Sequence, residues 1–138
     1  MSAEQIELLV NTAKKAAAAA YAPYSNFRVG AALLCADGTI ISGFNIENRS
    51  YSLTICAERC AIAGALSTGK KEFSAIAVFG LDSIEPLPPC GACRQVLSEF
   101  LPEDAPVHFS GTSGRICSVP LNELLPHDSL HRQKSTIS

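Results

Sequence analysis

Apolar residues along this chain recur with two different periods, and the switches between them mark out its elements. Ile6, Leu9, Val10 and Ala13 keep helical spacing, so Ser2 to Tyr21 is predicted to form an amphipathic helix. Ser2 followed three residues later by Gln5 makes a capping box, and the alanine run after Lys15 adds helix propensity. Ala22-Pro23-Tyr24-Ser25-Asn26 breaks the pattern, because proline and the residue before it resist helical continuation. Val29 to Leu34 and Thr39 to Phe44 then read as two strands of a hairpin around Asp37-Gly38. Asn45 to Ser52 is polar and loop-like. Helical spacing returns from Cys56 to Leu66, with Gly69 as its C-terminal stop. Ser74 to Phe79 is a short apolar run, predicted as a buried strand, and Leu81 to Pro89 is a proline-bearing loop. Cys90 to Phe100 is a third helix with Val96, Leu97 and Phe100 on its core face. Val107 to Ser110 and Arg115 to Val119 are the last two strands, and Leu121 to Leu125 a short helical turn.

Strands alternating with helices in this order predict an α/β fold, a three-layer α/β/α sandwich around a mixed five-stranded sheet. With 138 residues, 47% of them hydrophobic, residues 1–138 are expected to form a single domain, with 127–138 as a polar, frayed tail. The net charge of −2 argues against a nucleic-acid surface, which needs clustered Lys and Arg. No apolar run approaches the roughly 20 residues that span a bilayer, so no membrane partner is expected. The first ten residues carry Glu4 and Glu7 and no basic region, unlike an export signal. A cytoplasmic, reduced protein is therefore expected, and the six cysteines read better as a metal site plus buried thiols than as disulfides.

Three of those cysteines carry the chemistry. Cys90 and Cys93 stand at C-x-x-C spacing after Pro89, a residue suited to the first position of a helix. A helix N-terminus favours thiolate over thiol, and Cys56 opens its own helix in the same way. Three thiolates can hold Zn²⁺ and leave its fourth position to water, with Glu58, two residues beyond Cys56, placed to move protons beside it. Three thiolates also leave about one net negative charge on the centre. Arg59, on the helical face of Cys56, is expected to offset it by hydrogen bonding to the sulfurs, and Arg94 is a second candidate. Two alternatives stay open. Cys60, four residues beyond Cys56, would close the site as a fourth ligand, and Cys90 with Cys93 would serve as a redox pair.

The pairing of Cys56-Ala57-Glu58 with Pro89-Cys90-Gly91-Ala92-Cys93 resembles the zinc deaminase signature. Tyr21 to Ala32, Asn45-Ile46-Glu47-Asn48, Cys56 to Arg59 and Pro89 to Gln95 together look like the small, homotetrameric cytidine deaminases, in that family's order. The resemblance implies hydrolysis of cytidine and deoxycytidine to uridine and deoxyuridine in pyrimidine salvage. It implies one zinc per subunit on Cys56, Cys90 and Cys93, with Glu58 as proton shuttle. It places Asn45 and Glu47 on the ribose, Phe27 in the nucleoside pocket and the Ala57 backbone near the base amino group. Tyr51 matches a position that reaches a neighbouring subunit's site. His108, His127 and His131 fall in no ligand motif. Two departures stand out: Arg49 replaces a small residue, and the segment after Leu124-Leu125-Pro126 lacks a phenylalanine that stacks on a neighbour's substrate. Losing that stack weakens base binding by about 1–3 kcal/mol unless Leu130 or His127 substitutes, and leaves a modified, blasticidin-type nucleoside as an alternative substrate. A non-catalytic zinc-stabilised oligomer is the third reading.

Overall fold

Ser2 starts the first helix. Its hydroxyl accepts the Gln5 N–H at 3.1 Å while the Gln5 side chain accepts the Ser2 N–H at 2.8 Å, which completes the capping box. In the computed structural model, which describes residues 1–130, this helix, α1, spans Ala3–Ala17. It stops short of Tyr21. Ala19 and Ala20 bond back to Ala16 and Ala17, which tightens the last turn, and the Tyr21 backbone is taken up by Asn45 and Glu47. Of the tail expected over 127–138, residues 131–138, His131 included, lie outside the described residues.

Strands β1 (Val29–Cys35) and β2 (Ile40–Phe44) form the expected hairpin, with Gly38 at φ 92 in its turn. Helix α2 (Ala57–Ser67), strand β3 (Phe73–Gly80), helix α3 (Gly91–Phe100), strands β4 (Pro106–Gly111) and β5 (Ile116–Pro120) and the short α4 (Leu121–Leu124) follow. The sheet order is β2-β1-β3-β4-β5, and the β3–β4 pair alone is parallel, joined through α3. The mixed five-stranded sheet of the sequence reading is thus present.

Period-two alternation divides the central strands between two cores. Ala32, Ala75, Ala77 and Phe79 face α1, where they meet Leu9, Val10, Ala13 and Ala17. Ala31, Leu33, Ile76 and Val107 face the opposite side, with Ala61, Ile62 and Ala65 of α2 and Leu97 of α3. Leu97 is the buried anchor of α3, Phe100 packs at its edge and Val96 is half-buried. So many alanines let the helices lie close to the sheet. At Gly43 a Cβ would fall 2.5 Å from the Ala61 nitrogen and 2.6 Å from the Ala57 oxygen, so the start of α2 rests directly on the β2 backbone. That contact fixes the height of Cys56 and Glu58 above the sheet. Among the described residues no helix is long and apolar enough to cross a membrane.

Candidate metal centre and nucleoside site

Cys56 and Cys90 are the N-caps of α2 and α3, in extended backbone at φ −72, ψ 154 and φ −67, ψ 166. Pro89 therefore lies one residue outside α3, a correction to the sequence reading, because the helix closes on the Cys90 carbonyl through the Arg94 N–H at 2.9 Å. An N-cap side chain usually satisfies an orphan amide. Neither thiol does so, which leaves both sulfurs free for another partner. The fully buried Cys93, one turn into α3, supplies the third, and the three sulfurs lie within 4.8 Å of one another.

This donor set fits zinc. Tetrahedral Zn–S bonds of about 2.3 Å separate sulfurs by roughly 3.8 Å, which lies within the 4.8 Å that bounds this cluster. Arg59 donates from Nη2 to Cys56 Sγ at 3.1 Å, as expected of a cation that offsets thiolate charge, and its Nε is buried without a partner among the described residues. A hydrogen bond from the Cys93 thiol, then the Arg59 guanidinium, lowers the Cys56 pKa to about 5. Cys93 shifts upward, through its bond with Cys56, burial and the Glu58 charge. Cys56 thus ionises more readily than Cys93. Cys60 does not belong to the cluster among the described residues, so the four-cysteine site is not formed. Arg94 turns elsewhere: it donates to the Pro89 carbonyl at 2.8 Å and the Leu124 carbonyl at 3.1 Å, bracing the strap ahead of Cys90.

Glu58 is only 4% exposed. Burial, reinforced by the Cys56 charge, raises its pKa above the ordinary carboxylate range. It lines a cavity of about 220 Å³ together with Phe27, Asn45, Cys56, Ala57 and Cys90. Five of the residues named from sequence, with Glu58, thus meet in one small hollow at the starts of α2 and α3. Val29, Thr54, Val78, Leu87 and Pro88 complete its wall, and no local motif marks the last four.

Asn45 Oδ1 accepts the Val29 N–H at 2.9 Å and its Nδ2 donates to the Phe27 carbonyl at 2.8 Å. One amide hydrogen and one oxygen lone pair remain unused by these bonds. Glu47 stands outside the cavity lining. Its carboxylate faces the 22–26 turn, where it accepts N–H bonds from Tyr24 and Ser25 and the Ser25 hydroxyl. These bonds, the Ser25 hydroxyl foremost, lower its pKa. Tyr51, in a single 3₁₀ turn at Tyr51–Leu53, is 66% exposed and meets Tyr24 edge-on at 6.3 Å between ring centres.

A hydrolytic zinc centre in an α/β/α sandwich defines the class, and the chain matches the family described as the cytidine and deoxycytidylate deaminase zinc-binding region over residues 3–108. It belongs to that family. It is 50% identical over 120 residues to a cytidine deaminase of Halalkalibacterium halodurans, covering 87% of this chain and 90% of that one. The crystal structure of cytidine deaminase from Burkholderia pseudomallei superposes with a TM-score of 0.84 at 44% identity, covering 91% of this chain and 98% of the other. A blasticidin-S deaminase of Bacillus cereus is 36% identical over 105 residues, 71% of this chain and 74% of that one.

Proposed function

We propose that this chain is a single-domain, zinc-dependent deaminase that converts cytidine and deoxycytidine, with one water, to uridine and deoxyuridine plus ammonia. The observation that carries the reading is a nearly inaccessible carboxyl, Glu58, in a ring-sized cavity beside a three-sulfur cluster. Cys56, Cys90 and Cys93 would hold the ion. When bound, zinc supplies a water whose pKa falls from about 15.7 towards about 7.

Glu58 performs the proton chemistry. Its raised pKa suits a group that must take protons up and give them back near neutrality. It accepts a proton from the attacking water and delivers it to N3 of the ring as the new C4–O bond forms. It then carries the second proton to the amino group, so that the C4–N bond breaks and ammonia leaves. Phe27 and Ala57 both line the cavity, which supports Phe27 as a wall against the nucleoside and the Ala57 backbone as the group that reads the base amine. Asn45, through its free amide hydrogen, and Glu47 serve the ribose. A carboxylate at that edge accepts hydroxyls and repels phosphate, which favours nucleosides over nucleotides or polynucleotides.

The assembly is a homotetramer with sites beside subunit contacts. Tyr24, Ile46, Tyr51, Leu53 and Ile55, all exposed, cluster in the segments that border the cavity, an apolar surface of the sort a second copy covers. Free thiols at the metal cluster and a role in salvage of free nucleosides support a cytoplasmic location. The test follows loss of the cytosine ultraviolet chromophore by zinc-loaded protein with cytidine, deoxycytidine, free cytosine and blasticidin S in parallel. Turnover of the two nucleosides is expected, with free cytosine far slower. Turnover of blasticidin S alone would move the substrate to modified nucleosides, and none on any substrate would refute the enzyme.

A further inference from the structure

Between the end of α1 and the start of β1 the chain makes a sharp turn, four of whose hydrogen bonds involve Glu47 or Phe27, two residues of the proposed site. Asn26 has φ 56, in the left-handed region, and its N–H bonds to the Ala22 carbonyl at 2.9 Å. This turn points the successive N–H groups of Tyr24 and Ser25 at one oxygen of Glu47, at 3.0 and 3.1 Å, a small anion-binding nest. The Ser25 hydroxyl then does two things. It donates to the other Glu47 oxygen at 2.5 Å and accepts the Phe27 N–H at 3.0 Å. The far end of Phe27 is already held, since its carbonyl accepts from Asn45. Phe27 is thus pinned at its nitrogen through Ser25 to Glu47 and at its carbonyl to Asn45.

We infer that Ser25 is a positioning residue for nucleoside binding, its hydroxyl coupling the Glu47 carboxylate to the backbone of Phe27. The inference rests on the nucleoside reading above. A carboxylate offers about four lone-pair sites, and the turn takes three. Ser25 therefore decides which way the remaining one faces and, through the same oxygen, where the Phe27 ring stands in the cavity wall. Without the hydroxyl, Glu47 keeps its two amide bonds but rotates about them, and the Phe27 N–H loses its acceptor. Ground-state binding of the sugar should suffer, whereas proton transfer at Glu58 should not. Ser25 itself is exposed, and threonine keeps the hydroxyl that makes both bonds.

The experiment compares Ser25→Ala and Ser25→Thr with the unaltered zinc-loaded enzyme on cytidine and on 2′,3′-dideoxycytidine, which lacks the 2′- and 3′-hydroxyls that Glu47 would accept from. Ser25→Ala should raise KM for cytidine about tenfold, the effect of losing one hydrogen bond to a charged group, with kcat within about twofold. The rise should be at most about threefold for the dideoxy substrate. Ser25→Thr should restore KM to within about threefold of the original. Equal KM values for Ser25→Ala and the unaltered enzyme, an equal penalty on both substrates, or failure of threonine to rescue each overturn the assignment while leaving the deaminase reading intact. An unaltered enzyme inactive on cytidine overturns both.

Discussion

In the proposed reaction Glu58 carries the largest chemical burden of any single side chain. Replacing it with glutamine keeps the volume and removes the proton carrier. Glu58→Gln should retain about one zinc per chain by elemental analysis while turnover of cytidine falls by about 10³-fold or more. Retained turnover would show that protons travel by another route. His108 offers a prediction about stability instead. It is 2% exposed on β4, with Nδ1 2.7 Å from the Ser118 hydroxyl and Nε2 buried without a partner among the described residues. Burial, and secondarily the N-terminal ammonium, lowers its pKa below the usual 6.5. The unfolded chain then binds the extra proton more readily, so stability is full above about pH 6.5 and declines as pH falls below it. Thermal melts at pH 8 and pH 5.5 should show a drop that shrinks in His108→Asn. An undiminished drop would assign the acid sensitivity to other groups. The metal ligands and Glu58 were legible in the sequence because thiolate spacing and a nearby carboxylate are local features. Ser25, the bracing bonds of Arg94 and the cavity wall at Leu87 and Pro88 were not, because each depends on segments that only folding brings together.

The site is assembled by two helix starts and the strands beneath them, so precision at this scale depends on how α2 sits on β2. Gly43 controls that seat. Gly43→Ala would drive a methyl group into the Ala57 and Ala61 backbone, which cannot yield as a flexible side chain would. Overpacking of this kind costs about 1–3 kcal/mol, or roughly 5–10 °C in Tm for a chain of this size. Zinc content and activity should fall with Tm, since Cys56 and Glu58 ride on the displaced turn. A loss of activity with unchanged Tm and zinc would contradict this. The order of elements and the sheet content followed from apolar periodicity alone, and the capping box fixed the start of α1. Element ends were less legible. The alanine run favours helix up to Tyr21, yet Tyr21 pairs with Ile46 because the sheet edge offers its backbone a better partner. Pro89 looked like the first helical residue, and Cys90 holds the cap instead.

At the scale of the whole molecule, the proposed homotetramer predicts that one subunit completes another's site. The exposed Tyr51 sits in the 3₁₀ turn just before Thr54, which lines the cavity, and its ring meets Tyr24 rather than the interior. A large aromatic left outward beside a catalytic hollow has its natural use against another copy. Native mass measurement should give about four times the 14.6 kDa of the chain. If Tyr51 acts across the interface, Tyr51→Ala should lower activity about tenfold without changing the zinc content of its own subunit. Mixing then separates the alternatives. In hybrids of Tyr51→Ala and Glu58→Gln subunits, a site can take Glu58 from one and Tyr51 from the other, and random pairing makes roughly a quarter of all sites whole. Coexpressed hybrids should therefore exceed both parents and approach about a quarter of the unaltered activity. A tyrosine that serves only its own subunit predicts the plain average of the two parents, because a site with Glu58 would then always lack Tyr51.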